Sequence, residues 1–311
     1  MGAVCCKSQD TSIGLDLQNS VTKRKEDESD NQIIDQSTTI SNTEVPKDFV
    51  FEHNEVYQKV YNEWKERIVQ ENLEYTPFFV FKTEKEETRY KGYLNQKKER
   101  HGPGSELWEN GSFYHGSYLN DIVFSYGLLH HSDGATYLGQ WANGQSNGYG
   151  IYTHPHGAKY VGFWHNDRQH GRGLETWPDG AVFKGVYKNG KKHGIGKFKW
   201  ADESQYEGEF EDNNISGKGV YKWKDGRQYE GTWRENLMHG KGAYTWADGR
   251  KYEGEYQNEK KQGFGTFSWP DGKIYSGKWE NGKQHGEGEF TTSSGLVKKG
   301  IWADGKRIEW L

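Results

Sequence analysis

The chain has 311 residues, 32% of them hydrophobic, with a mean hydropathy of -1.09 and a formal net charge of -4. That balance excludes a strongly basic nucleic-acid binder, and no run approaches the ~20 apolar residues of a membrane-spanning helix. Such polarity alone points towards disorder, but 15% aromatic residues and 41 glycines, most of them in register, argue for order.

The chain opens Met1-Gly2, and its two cysteines are Cys5 and Cys6. With methionine removed, Gly2 is a candidate N-myristoylation site, although Cys6 stands where the usual pattern has serine or threonine. One myristoyl chain binds membrane only marginally, with an association constant on the order of 10⁴ per molar, so a second signal is needed. S-palmitoylation of Cys5 and Cys6 would supply it. A polybasic patch would not, because Lys23-Arg24-Lys25 is met at once by Glu26-Asp27-Glu28. The alternative is a pair of ordinary cytosolic thiols near a flexible end. Adjacent cysteines rarely form a structural disulfide, and two cannot make a zinc site by themselves. With no signal-peptide core after Met1, the expected setting is reducing and cytosolic. Residues 1–8 are therefore read as an acylation motif. Residues 9–46, rich in Ser, Thr, Asn, Gln and Asp, read as a flexible tether.

Residues 47–89 read as an amphipathic helix followed by a capping strand. Val56, Val60, Tyr61, Trp64 and Ile68 recur at helical spacing from about Asn54 to Leu73, with Thr76-Pro77 as the stop. Phe78 to Phe81 then reads as a short strand. The expected role is to cover the first edge of the following array, where an open sheet leaves unpaired backbone. The competing role is docking of a partner, or cover over part of an aromatic face, with Trp64 as the contact.

From Tyr90 to Leu311 the chain is periodic. Tyr114, Tyr137, Tyr160, Phe183, Tyr206, Tyr229, Tyr252 and Tyr275 fall 23 residues apart, each followed two residues later by glycine, and Tyr90 opens a first repeat one residue longer. Trp177, Trp200, Trp223, Trp246 and Trp269 keep the same period. A fixed short period means a linear array of one supersecondary unit. Within a repeat, Tyr206, Gly208 and Phe210 alternate with Glu207, Glu209 and Glu211, the period-two signature of a strand with one packed and one wet face. A polar connection over Asp212 to Ser216 leads to a second strand, in which Gly217, Gly219, Tyr221 and Trp223 alternate with Lys218, Val220 and Lys222. Asp225-Gly226, or Pro270-Asp271-Gly272 in a stronger form, closes the repeat. Glycine inside these strands is read as making room for neighbouring rings. The expectation is all-β: an elongated single-layer antiparallel meander of nine to ten β-hairpins, with a short N-terminal helix and a disordered N-terminal tail.

The run Tyr252-Glu253-Gly254-Glu255-Tyr256, then Gly263 and Gly265, then Trp269 and Asp271-Gly272, resembles the MORN (membrane occupation and recognition nexus) repeat. Three positions depart from the pattern: Ser125 and Glu203 replace glycines, and Lys298 replaces an anchor ring. The resemblance implies a hairpin array of the kind found in membrane-junction, radial-spoke and protist cytoskeletal proteins, and in regulatory segments of plant phosphatidylinositol-phosphate kinases. It implies no single function.

The sequence carries no catalytic constellation. His170, His193, His239 and His285 occupy equivalent turn positions about one repeat apart, so they do not converge on one metal. The Gly-x-Gly pairs lie inside strands and lack the helix and Gly-Lys-Ser/Thr of a phosphate loop. The chain is read as a non-enzyme without cofactor or metal. The array holds 30 Lys+Arg against 27 Asp+Glu from Tyr90 onward and is no magnet for nucleic acid. The leading expectation is a lipid-anchored scaffold attaching an unidentified cytoskeletal, ciliary or signalling protein to the cytosolic face of a membrane, such as the plasma membrane, cell cortex or cilium. Its acyl sites are Gly2, Cys5 and Cys6, and its partner-binding side chains are Trp64, Trp177, Trp200, Tyr221, Trp223, Tyr244, Trp246 and Trp269. The alternative is a phosphoinositide-binding or kinase-regulating array. The final half-repeat, with Trp302 and Trp310-Leu311, predicts homodimerisation through the C-terminal end.

Overall fold

The computed structural model describes residues 32–33, 55–82 and 87–311, so Gly2, Cys5, Cys6 and nearly all of the 9–46 tether lie outside the described residues. The described part divides into two compact units, one ending at Glu175 and one running from Thr176 to Leu311. Each is an open antiparallel meander, as the 23-residue period predicts.

The N-terminal unit holds β1 (Gln32–Ile33), α1 (Glu55–Gln70), β2 (Glu74–Lys82), β3 (Glu87–Leu94), β4 (Arg100–Trp108), β5 (Phe113–Leu119), β6 (Ile122–His130), β7 (Thr136–Ala142), β8 (Gln145–Thr153), β9 (Lys159–His165) and β10 (Arg168–Thr176). The helix stops earlier than Thr76-Pro77. Asn72 takes a left-handed φ of 51°, and the Leu73 amide donates back to the Ile68 carbonyl at 3.0 Å, a C-terminal cap independent of the proline. Pro77 instead lies inside β2, at the register shift between Thr76 and Phe79 where β2 pairs with β3. A bulge is one of the few places where a strand tolerates a residue without an amide proton. β2 therefore covers the edge of the first hairpin, as expected of the capping strand, and β1 pairs in turn with Phe81 and Lys82.

The helix does not cover the edge. It packs on the broad face of β4, β5 and β6. The Trp64 indole donates to Ser117 Oγ at 3.1 Å, and Lys59 Nζ lies 3.5 Å from the Tyr126 ring centroid. Ser117 and Tyr126 neighbour Gly116 and Gly127, whose α-carbons point at the Tyr114 ring, so strand alternation puts α1 on the face opposite the anchor rings. Trp64 is buried there among Val56, Val60, Leu119 and Leu128, edge-on to His101. It is a core residue of this docking, spent on internal contacts and not open to a partner.

The C-terminal unit runs from β11 (Val182–Lys188) through β12 (Lys191–Lys199), β13 (Gln205–Glu211), β14 (Asn214–Lys222), β15 (Gln228–Arg234), β16 (Leu237–Thr245), β17 (Lys251–Gln257), β18 (Lys260–Ser268), β19 (Ile274–Glu280), β20 (Lys283–Thr291) and β21 (Val297–Ala303) to β22 (Lys306–Trp310). The polar connection expected over Asp212 to Ser216 is only the two-residue turn Asp212-Asn213, with φ of 48° and 75°, and β14 begins at Asn214. Two consecutive left-handed residues are what a type I′ hairpin turn demands, and Asp and Asn tolerate that region. Glu235-Asn236 and Asn258-Glu259 repeat the geometry.

The core is built from ring against glycine. Gly208 faces Gly219, and Gly231 faces Gly242, across their strand pairs. A Cβ at Gly219 or Gly242 would overlap the ring of the anchor tyrosine, Tyr206 or Tyr229. The anchor hydroxyl then donates to a backbone carbonyl three residues on, Tyr206 to Glu209 at 3.0 Å and Tyr229 to Thr232 at 3.0 Å. Each anchor meets two rings edge-on, one from its own repeat and one from the next: Tyr206 lies 5.1 Å from Phe210 and 5.8 Å from Trp233. Edge-to-face pairs of this kind contribute roughly 0.5–1.5 kcal/mol each beyond area burial. Gly217, like its repeat counterparts Gly194, Gly240, Gly263 and Gly286 at positive φ, differs from the glycines under the anchor rings. A Cβ at Gly217 would meet Glu209 and not a ring, and the Gly217 φ of 69° is what requires glycine.

An aromatic ladder on the C-terminal unit

The tryptophans singled out by periodicity line up. In the C-terminal unit, strands β12, β14, β16 and β18 each carry near their end a ring two residues before a tryptophan, and these rings alternate along the array. Trp177 stacks on Phe198 at 5.5 Å, Phe198 on Trp200 at 4.5 Å, and Trp200 lies 5.1 Å from Tyr221. The ladder continues through Tyr221–Trp223 at 4.5 Å, Trp223–Tyr244 at 5.3 Å, Tyr244–Trp246 at 4.5 Å, Trp246–Phe267 at 5.3 Å and Phe267–Trp269 at 4.4 Å. The structure thus brings seven of the eight expected contact residues into one row and leaves Trp64 elsewhere. Tyr221 and Tyr244 are buried at its floor, while the five tryptophans are half-buried and keep ring surface open.

The ladder exists because Trp sits at the mouth of the closing turn. The Trp223 amide donates to the Arg227 carbonyl at 2.9 Å, and the Trp223 carbonyl accepts from the Gly226 amide at 3.1 Å. Asp225 caps the same turn, accepting from the Arg227 amide at 3.1 Å and pairing with its guanidinium at 2.7 Å. Those hydrogen bonds hold the Asp225 carboxyl below its usual range. Arg227 in turn lies 5.3 Å from the Trp223 ring, and Arg250 repeats the arrangement 5.5 Å from Trp246.

Sequence reasoning misses two parts of this surface. Phe198, Phe267 and Phe290 occupy the repeat position of Tyr221 and Tyr244, a signal visible once the period is followed at that position. Lys261 is not legible as special. Its ammonium lies 5.0 Å from Trp246, 5.1 Å from Tyr252, 4.7 Å from Phe267 and 4.7 Å from Trp279, inside a cage of four rings. Burial lowers its pKa to about 8, with Arg250 adding repulsion. Lys192 takes the same repeat position, 5.2 Å from Trp177 and 5.2 Å from Phe183, whereas Ile215 and Met238 fill it in between. The ladder is therefore aromatic with cations set onto its rings, an arrangement suited to aromatic, aliphatic and anionic side chains.

The opposite face of this unit carries alternating charge. Glu207 faces Lys197 across β12 and β13 with a 3.3 Å ion pair, and Lys241 faces Glu255 across β16 and β17. Both members of the first pair are exposed, so it fixes register and contributes little stability. An open depression of about 800 Å³ on this face is lined by side chains of both signs, among them Glu230, Lys241, Lys251 and Glu253. Among the described residues no three His, Cys, Asp or Glu side chains are placed to hold a metal ion, and no helix is long and apolar enough to cross a membrane. At the C-terminal end, β22 packs Trp310 6.0 Å from Trp302, and Arg307 lies 4.2 Å from its ring, leaving Ile308 and Leu311 exposed.

One hairpin per 23 residues, glycine pairs under an anchor ring and a closing turn at each tryptophan define a class, the hairpin-repeat meander proteins. The MORN repeat pattern matches residues 96–113, 137–158, 160–182, 183–205, 206–226, 229–249, 252–274 and 275–297, and the chain belongs to the MORN-repeat family. Comparison with curated protein sequences gives no significant match. Among solved structures, the TCP10 domain of Danio rerio CPAP in complex with a peptide of STIL is 12% identical, with a TM-score of 0.40 over 68% of this chain and 94% of that one. The TCP domain of Drosophila melanogaster SAS-4, in complex with a proline-rich motif of Ana2, is 8% identical, with a TM-score of 0.33 over 57% of this chain and 90% of that one.

Proposed function

We propose that this chain is a non-enzymatic, lipid-anchored MORN-repeat scaffold that holds a cytoskeletal, ciliary or signalling protein at the cytosolic face of a membrane. The observation that carries the binding half is the unbroken ladder from Trp177 to Trp269, whose tryptophans keep open ring surface instead of burying it. Interface anchors are enriched in Trp, Tyr and Arg, and a row of them on a rigid sheet is pre-organised for an extended partner. The anchoring half rests on Gly2, Cys5 and Cys6, where two acyl signals together give stable attachment.

Anionic lipid recognition by the ladder itself is the second reading, favoured by Lys192, Arg227, Arg250 and Lys261 lying over its rings. Asp225 and Asp248 pair with the two arginines and weaken it. Co-precipitation from cells of the wild-type chain beside Trp200→Ala/Trp223→Ala/Trp246→Ala tests the binding site. The scaffold reading expects proteins retained by the wild type to be lost from the triple variant, whereas an unchanged set would remove the ladder as the site. Unacylated protein that floats with phosphoinositide-containing vesicles, and loses that property in Lys192→Ala/Lys261→Ala, would favour the lipid reading instead.

A further inference from the structure

The face of the N-terminal unit that carries α1 is apolar well beyond the helix. Along this face Leu128 on β6 pairs with Leu138 on β7, Leu138 with Ile151 on β8, and Ile151 with Val161 on β9. A second row beside it pairs Tyr126 with Gln140, and Tyr149 with Phe163. The helix covers only the start of these rows, packing on Tyr126, Leu128 and Leu138. One 23-residue repeat further on, the counterparts of Tyr126, Leu128 and Leu138 are Tyr149, Ile151 and Val161. These have no helix over them among the described residues. Tyr149 and Phe163 are each 49% exposed although their rings pack edge-on at 5.6 Å, and Leu174 on β10 is 38% exposed. The seat that holds α1 is thus repeated, with the second copy bare.

Charge and spacing say what fits it. Strands β7 to β10 contain Lys159, Arg168 and Arg172, all exposed, and Glu175 as their one carboxylate. Glu175 is buried and shares the ring face with Gly173, away from the apolar rows. At ~4.8 Å per strand, the second seat lies about 10 Å from the first. Packed helices run 8–10 Å apart. A helix in the second seat would therefore also lie against the flank of α1 that carries Lys59 and Glu63, the two residues reaching β6 through Tyr126 and Ser125.

We propose that the apolar rows over β8, β9 and β10 are a docking site for an amphipathic helix of a partner protein, with an aliphatic and aromatic stripe and an acidic polar face, lying beside α1. The site is separate from the aromatic ladder and does not depend on it. It extends an interface that the chain already makes with its own helix.

The test uses the full chain and a fluorescent peptide about five turns long, with a Leu/Trp stripe and glutamates on its polar face, read by anisotropy. Saturable binding is expected, weakened at least tenfold, roughly 1.4 kcal/mol, by Tyr149→Ser/Phe163→Ser and unchanged by Ile195→Ser, an exposed apolar position in the other unit. A peptide with lysines on its polar face should bind at least tenfold more weakly. Lys159→Glu/Arg172→Glu should reverse that preference, which keeps the test valid if the first double variant folds poorly. No saturable binding, or equal binding by wild type and both double variants, would overturn the proposal. So would three other occupants of the patch: a wild-type dimer in sedimentation dispersed by Tyr149→Ser/Phe163→Ser, phosphatidylcholine–phosphatidylserine vesicles captured in place of the peptide, or at least tenfold tighter peptide binding once residues 1–46 are deleted.

Discussion

At the scale of the residue, glycine and its exceptions set the tolerance of the array. Gly219 has an ordinary φ, so alanine there fails on space alone, its Cβ lying within the Tyr206 ring. Gly219→Ala is expected to lower the stability of the C-terminal unit by roughly 1–3 kcal/mol, the usual range for overpacking, read from urea unfolding. Glu203 is the reverse case. It stands where other repeats place a turn glycine, with φ 74°, and its contact to Lys224 is an exposed 3.5 Å pair. Glu203→Gly should raise stability by about 1 kcal/mol, and a loss would mean that the exposed pair matters more than the backbone. Both sites are legible as departures from the period, though not the fact that Glu203 keeps the glycine conformation. Buried polar groups of the N-terminal unit are not legible, since nothing in a period assigns Ser105 Oγ to His115 Nδ1, or Arg100 to Glu106 and Asp121 at 2.5 Å and 2.8 Å. Burial pushes the His115 imidazole down to about 4. The folded unit then binds fewer protons than the unfolded chain between pH 6.5 and 4. Stability is retained above pH 6.5 and falls by about 3 kcal/mol as pH drops to 4. His115→Phe should flatten that part of the pH profile. Arg100→Ala, which takes the cation away from the buried Glu106 carboxylate and from half-buried Asp121, should cost roughly 3–5 kcal/mol.

At the scale of the element, two periods carry the reading, and each fails only where local chemistry intervenes. Val56, Val60 and Trp64 place the helix correctly, but Asn72 stops it, ahead of Thr76-Pro77. The hairpin turns look like longer polar loops in sequence because Asp212-Asn213 is flanked by further polar residues that belong to strands. The aromatic ladder is legible as a row of tryptophans, while the caged lysines are not, since a lysine in a polar sequence carries no signal. Lys261 offers a sharp test at this scale. With its folded pKa near 8 and an unfolded value near 10.4, the folded state binds fewer protons across that window. Stability should therefore rise between pH 8 and pH 10.4, because the charged form is the one that burial penalises. Lys261→Met, which places there the side chain that Met238 already supplies at the equivalent repeat position, should add about 1–2 kcal/mol at pH 7, the ring contacts having offset part of the penalty. The gain should shrink above pH 10, by urea midpoints at both values. Retained affinity for a partner in this variant would show that the caged ammonium is structural.

For the whole molecule, the period announces the architecture before any residue is read for chemistry, and the family follows from it. The difference between the two faces is harder to see. The alternating Glu and Lys of Glu207, Lys197, Glu255 and Lys241 describe the C-terminal unit, whereas the same positions in the N-terminal unit hold Val161, Ile151, Phe163 and Tyr149. One repeat pattern thus serves two surfaces, because the anchor rings and glycines fix the fold and leave the outward positions free to vary. Attachment and binding would be divided along the chain, with acyl groups at Gly2, Cys5 and Cys6 and ring surface on the array. The most direct measurement is membrane fractionation of the intact chain beside Gly2→Ala and Cys5→Ser/Cys6→Ser. Wild type is expected in the membrane pellet and both variants in the soluble fraction. Variants that stay on the membrane would contradict acyl anchoring and place attachment on the array or its partner.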